Sequence, residues 1–163
     1  MYDDLDTLAV DLGRLLADAG LVLAAAESCT GGWIAKCVTD IAGSSGWFDR
    51  GFVTYSNDAK RDMLGVSTKT LDAHGAVSEF VVREMVLGAL TRSTAQVAVA
   101  VSGIAGPGGG SAEKPVGTVC FGFALSGRVR TETLRFDGDR DAVRRQTVQH
   151  ALRRLIALLG DGC

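Results

Sequence analysis

Across residues 4–19 the apolar side chains Leu5, Leu8, Ala9, Leu12, Leu15, Leu16 and Ala19 recur at helical spacing with Asp and Arg between them, and Gly20 follows as a stop. Such a stripe buries one side of a helix and leaves the other wet, so this segment predicts an amphipathic helix. The period then changes. Residues 21–27 form a short apolar run suited to a strand covered on both faces, and residues 32–40 are small and apolar enough for a helix lying close on a sheet. Between them Glu27-Ser28-Cys29-Thr30-Gly31-Gly32 makes a strand-to-helix turn. Phe52, Val53, Thr54 and Tyr55 mark a second strand within residues 48–56, followed by a short helix over 58–64 with Asn57 as its cap and Gly65 as its stop. Helical spacing returns over 79–90 after Ser78, and residues 96–102 are a third apolar strand. Residues 118–125 and 128–136 are strands joined by the two-residue turn Ser126-Gly127. A last helix over 139–159 has a stripe that includes Val143, Val148, Ala151, Leu152, Leu155 and Leu159.

Strands separated by helices pair in parallel through crossovers, whereas a hairpin forces its two strands to be antiparallel. The expected fold is therefore α/β: a three-layer α/β/α arrangement with a mixed five-stranded sheet whose fourth strand is antiparallel to the others. A length of 163 residues suits one domain, taken as residues 1–163. In such a sheet the ends of strands one, two, three and five share an edge with the start of strand four. Ser28, residues 57–60, the loop 103–117 and residues 137–140 then face one crevice, which is where open α/β sheets bind ligands.

Composition narrows the partners. With 47% hydrophobic and 22% charged residues the chain is globular, and a net charge of −2 supplies no general attraction to nucleic acid or anionic membranes. The acidic start Met1-Tyr2-Asp3-Asp4-Leu5-Asp6 lacks the basic and apolar regions of a signal peptide, and no run approaches the roughly 20 apolar residues of a membrane span. A cytoplasmic protein is expected. Cys29, Cys37, Cys120 and Cys163 have no CxxC spacing and His74 and His150 lie far apart, so reduced cysteines, no metal and no cofactor are expected. The 21 glycines exceed the usual share of about 7% and cluster at 31–32, 43–51 and 103–117, as turns and close ligand approach require.

The candidate chemistry starts at Ser28, a hydroxyl on a turn with main-chain N–H groups and a helix end beside it, where attack on a carbonyl and stabilisation of an oxyanion are both possible. Lys60, in the first turn of its helix and partly buried, is the candidate base, because helix pole and burial both disfavour its charged form. The N–H groups from Cys29 through Thr30, Gly31 and Gly32 are the expected oxyanion donors. Tyr55 is a third catalytic candidate, a hydroxyl that orients the Ser–Lys pair or relays a proton. Asn57, Gly106, Lys114 and Arg140 are expected to bind substrate, the last as a bidentate partner for carboxylate or phosphate. The loop from Ser102 to Ser111 matches neither common nucleotide-binding glycine pattern. Each residue has an ordinary alternative: Ser28 as a helix cap, Lys60 and Arg140 as solvated charges, Tyr55 as a packed strand residue, the loop as mobile surface. Cys29 is a competing nucleophile without a histidine at a strand end.

Several segments taken together resemble one family. They are Ala26-Glu27-Ser28-Cys29-Thr30-Gly31-Gly32, Ile41-Ala42-Gly43-Ser44-Ser45, Gly51-Phe52-Val53-Thr54-Tyr55-Ser56-Asn57-Asp58-Ala59-Lys60, Gly75-Ala76-Val77-Ser78, Ser102-Gly103-Ile104-Ala105-Gly106-Pro107 and Lys114-Pro115-Val116-Gly117-Thr118-Val119. In that order they are similar to the CinA C-terminal domain family, the competence/damage-inducible proteins, from about residue 5 to 158. The resemblance implies hydrolysis of the amide of nicotinamide mononucleotide (NMN) to nicotinic acid mononucleotide and ammonia, in the recycling of pyridine nucleotides. It also implies a Ser–Lys amidase, with Ser28 at the nucleophile's position, Lys60 at the base's, and Tyr55 and Arg140 at further active-site positions, in a homo-oligomer. The ADP-ribose pyrophosphatase activity linked to the additional N-terminal domain of full-length CinA proteins is not implied. Two other readings are an accessory module that binds a protein partner and an amidase acting on another small amide.

Overall fold

The computed structural model describes residues 4–161. Its elements follow in the order α1 (Leu5–Ala19), β1 (Leu23–Glu27), α2 (Trp33–Thr39), β2 (Phe48–Val53), α3 (Asn57–Leu64), α4 (Thr68–His74), α5 (Glu79–Thr91), β3 (Val97–Gly103), β4 (Thr118–Leu125), β5 (Arg128–Arg135) and α6 (Arg140–Gly160). The sheet order is β2-β1-β3-β4-β5. β1 is parallel to both β2 and β3, and β4 is antiparallel to β3 and β5, so the fourth strand alone is reversed, as expected.

Alternation along the strands sorts the core into two layers. Leu23, Ala25, Val97, Val99, Val101, Phe121 and Phe123 face α1, α2 and α6. On the opposite face Ala24, Ala26, Ala98, Ala100 and Ala124 lie under α5, with Leu64 of α3 and Leu71 of α4 completing that layer. The second face consists of small residues, which lets its helices approach closely. α5 meets the end of α3 at Gly88, where an added Cβ would come within 2.0 Å of the Leu64 carbonyl oxygen. That contact fixes the helix that carries Lys60.

Three local features differ from the expectation. β2 stops at Val53, so the carbonyls of Thr54 and Tyr55 leave the ladder and turn to other partners. Ser56, not Asn57, caps α3: its Oγ accepts from the Ala59 N–H at 3.0 Å, and Asn57 is the first helical residue. α4 is an additional helix; it buries only Leu71 and so carries no apolar stripe for periodicity to detect. Cys29, Cys37 and Cys120 are buried and free, whereas Cys163 lies outside the described residues. No described helix is long and apolar enough to cross a membrane.

Replacing Gly88 with Ala should force α3 and α5 apart and destabilise the fold by about 1–3 kcal/mol. A lower urea midpoint at unchanged slope is the expected result.

Candidate active site

The ladder holds the end of β1 on both sides. The Ser28 N–H donates to the Val101 carbonyl at 3.1 Å, and the Thr54 N–H donates to the Glu27 carbonyl at 2.8 Å. Glu27 itself is buried, and its carboxylate folds back over the turn. It accepts from the Thr30 hydroxyl at 2.5 Å, the Ile34 N–H at 2.8 Å and the Ala35 N–H at 3.0 Å. This long-range cap replaces the one that Gly32, which has no side chain, cannot provide for α2. Gly31 and Gly32 have φ of 60° and 105°, a conformation strained for other residues, and this is why two glycines close the turn.

From the far side, Arg144 of α6 donates through Nε to the Cys29 carbonyl at 3.0 Å and through Nη2 to the Thr30 carbonyl at 3.1 Å. Its guanidinium also sits 5.7 Å from the centre of the Trp33 ring.

On the open side of the turn, Lys60 Nζ lies 3.0 Å from Ser28 Oγ and donates to the Thr54 carbonyl at 3.0 Å. Ser28 Oγ has a longer contact, 3.5 Å, to the Tyr55 carbonyl. Lys60 is only 1% exposed, and among the described residues no carboxylate pairs with it. Burial pushes its pKa below the ordinary lysine value. The expected contribution from the helix pole is not needed to account for this. Burial pushes the neighbouring Cys29 thiol up to about 12, so it stays protonated and is a poor nucleophile.

These groups open into a cavity of about 300 Å³ whose wall includes Ser28, Tyr55, Asn57, Lys60, Gly106 and Arg140, brought in from the ends of β1, β2, β3 and β5. Arg140 spans its mouth, donating through Nη1 to the Gly106 carbonyl at 2.8 Å and through Nη2 to the Tyr55 hydroxyl at 3.1 Å.

Other expected site residues are placed differently from the expectation. The Tyr55 hydroxyl accepts from Arg140 and the residue is 62% exposed; its contact with Ser28 is made by the main-chain carbonyl. Thr30, Gly31 and Gly32 put no side chain into the cavity wall. The Thr30 hydroxyl is bound to Glu27, and the Gly31 N–H is bound to the Ser28 carbonyl at 3.1 Å. The first N–H groups of α2 serve Glu27, so that helix end is not free for an oxyanion. Lys114 donates to the His74 carbonyl at 2.7 Å and lines a separate cavity beyond Val77, because the glycine-rich loop turns its second half towards the end of α4. Sequence reasoning assigned no role to Glu27 or Arg144. A charged residue ending an otherwise apolar strand was a readable signal for Glu27; nothing local marked Arg144.

The family model for the CinA C-terminal domain matches residues 5–159. Nicotinamide-nucleotide amidohydrolase PncC of Enterobacter agglomerans is 62% identical over 157 residues, covering 93% of this chain and 96% of that protein. Its namesake in Escherichia coli K12 is 58% identical, with 93% of each chain covered. The crystal structure of the competence/damage inducible protein CihA from Agrobacterium tumefaciens superimposes with a TM-score of 0.92 at 53% identity, covering 97% of this chain and 98% of that one.

Glu27→Gln keeps the size of the side chain but replaces one of the two oxygens that together accept three hydrogen bonds with an NH₂, which cannot accept. It should destabilise the protein by about 1–3 kcal/mol in urea titrations, with Glu27→Ala worse.

Proposed function

Because the chain belongs to the CinA C-terminal domain family, we propose that it hydrolyses the carboxamide of NMN to nicotinic acid mononucleotide and ammonia, with Ser28 as nucleophile and Lys60 as base. The observation that carries this reading is the 3.0 Å contact between a buried amine and the Ser28 hydroxyl at the floor of a cavity. The names of the PncC relatives support the substrate.

In the neutral form, the Lys60 lone pair takes the Ser28 proton as Oγ adds to the carboxamide carbon. The resulting ammonium returns that proton to the departing nitrogen, and ammonia leaves. Water then attacks the acyl-enzyme with Lys60 again as base, freeing the carboxylate and restoring Ser28. The Thr54 carbonyl holds Nζ in place throughout. Main-chain N–H groups of Cys29 and Thr30 receive the oxyanion. At the mouth, Arg140 and the N–H groups of the 106–108 segment bind the phosphate, with Tyr55 and Asn57 shaping that end. Neither metal nor cofactor enters these steps. The family resemblance extends the reading to a cytoplasmic homo-oligomer that recycles pyridine nucleotides. A module that only binds a partner would gain nothing from a lysine held in a desolvated position beside a serine.

Ammonia release from NMN should fall by about 10³-fold or more in both Ser28→Ala and Lys60→Met. Undiminished turnover in both would overturn the mechanism, and equal turnover of free nicotinamide would overturn the nucleotide as substrate. The Lys60→Met thermal midpoint should not drop, because an apolar side chain removes a desolvated amine.

Since the amine must be uncharged to act, kcat/KM should rise with pH through an apparent pKa below the usual lysine value. The folded protein also releases this proton at lower pH than the unfolded chain. Stability should therefore increase with pH between the two pKa values, a slope that Lys60→Met abolishes.

A further inference from the structure

The turn that carries Ser28 presents an electrostatic problem. Developing negative charge on a carbonyl oxygen beside Ser28 meets the buried Glu27 carboxylate one residue away, and that carboxylate already holds the N–H groups of Ile34 and Ala35. The helix end that follows the turn therefore adds no net positive field. A cation does face the turn, from a different element: Arg144, whose two hydrogen bonds go to the consecutive carbonyls of Cys29 and Thr30.

The Cys29–Thr30 peptide is trans, the cis bond at Gly106–Pro107 being the exception among the described residues. In a trans peptide the carbonyl and N–H point in opposite directions. Anchoring the Cys29 carbonyl on Arg144 therefore turns the Thr30 N–H away from the guanidinium. Thr30 is 1% exposed, yet among the described residues its N–H has no acceptor. A buried main-chain donor left unpaired is rare in folded proteins and points to an acceptor that arrives with a ligand. Hydrogen-bonding a carbonyl to a cation also strengthens the N–H across the same peptide as a donor.

We propose that Arg144 is a positioning residue for catalysis: from behind the turn it orients and polarises the Cys29–Thr30 peptide so that the Thr30 N–H binds the oxyanion formed when Ser28 adds to the carboxamide. This rests on the reading of Ser28 as nucleophile. Arg144 does not line the substrate cavity, so its effect belongs to the transition state and not to ground-state binding.

The test compares Arg144→Gln and Arg144→Lys with the unaltered protein by three measurements: kcat and KM for NMN, the affinity of an NMN analogue with an aldehyde in place of the carboxamide, and the affinity of nicotinic acid mononucleotide. The aldehyde adds Ser28 Oγ across its carbonyl and so places an oxyanion in the site without turnover. Arg144→Gln should lose about 10- to 100-fold in kcat and the same factor in aldehyde affinity, with product affinity and KM changed by less than about twofold. Arg144→Lys, which keeps charge and stem but not the fork, should lose less in both, and it carries the test if the Gln variant does not fold. In Arg144→Ala, added methylguanidinium should restore kcat where methylammonium does not. Unchanged kcat in Arg144→Gln, or a loss shared equally by product affinity, would overturn the proposal. Equal aldehyde affinity in unaltered protein and Ser28→Ala would instead overturn the role of Ser28.

Discussion

The fold is organised around one unfavourable placement: an amine on a four-carbon stem, removed from water, with no carboxylate among the described residues to neutralise it. Lys60 Nζ has the Ser28 hydroxyl and the Thr54 carbonyl as its partners, both neutral acceptors that stabilise an ammonium far less than an anion would. An amine in that position gives up its proton more readily than one in water. The same placement that weakens the fold holds the amine against the Ser28 hydroxyl.

Holding it there takes most of the architecture. β1 and β2 are adjacent and parallel, so the turn after β1 and the segment after β2 emerge side by side. Because β2 ends at Val53, the next two carbonyls are free to bond Lys60 and Ser28 and not a neighbouring strand. α3 then carries Lys60 back over the strand ends, and its far end is seated against α5, which lies low on an alanine-lined face of the sheet.

The serine turn is fixed from two directions by residues of opposite charge. Glu27 gathers the hydroxyl and N–H groups that point inward, and Arg144 gathers the carbonyls that point outward. Little freedom remains in the five residues between them, as a site that must not reorganise during reaction requires. The open mouth is looser: Arg140 is tied to one carbonyl and to one exposed phenol.

Periodicity made the strands, most helices and the reversed fourth strand legible, because burial on one face or two leaves a mark on every second or every third to fourth residue. Ser28, Lys60, Asn57, Gly106 and Arg140 were legible as neighbours for the same reason, since each follows a strand whose direction the pattern implied. α4 was not, having a single buried apolar residue, and neither was the place of Lys114, which depends on where a long glycine-rich loop turns. What the chain determined by itself was which side chains would meet at one sheet edge. What only the tertiary structure decided was which atom of each makes the contact: the carbonyl of Tyr55 towards Ser28 and its hydroxyl towards Arg140, the carboxylate of Glu27 on the helix end, and the guanidinium of Arg144 on the carbonyls of the turn. Those contacts follow from hydrogen-bond directions and burial between residues up to 115 positions apart, and no local sequence pattern encodes such long-range geometry.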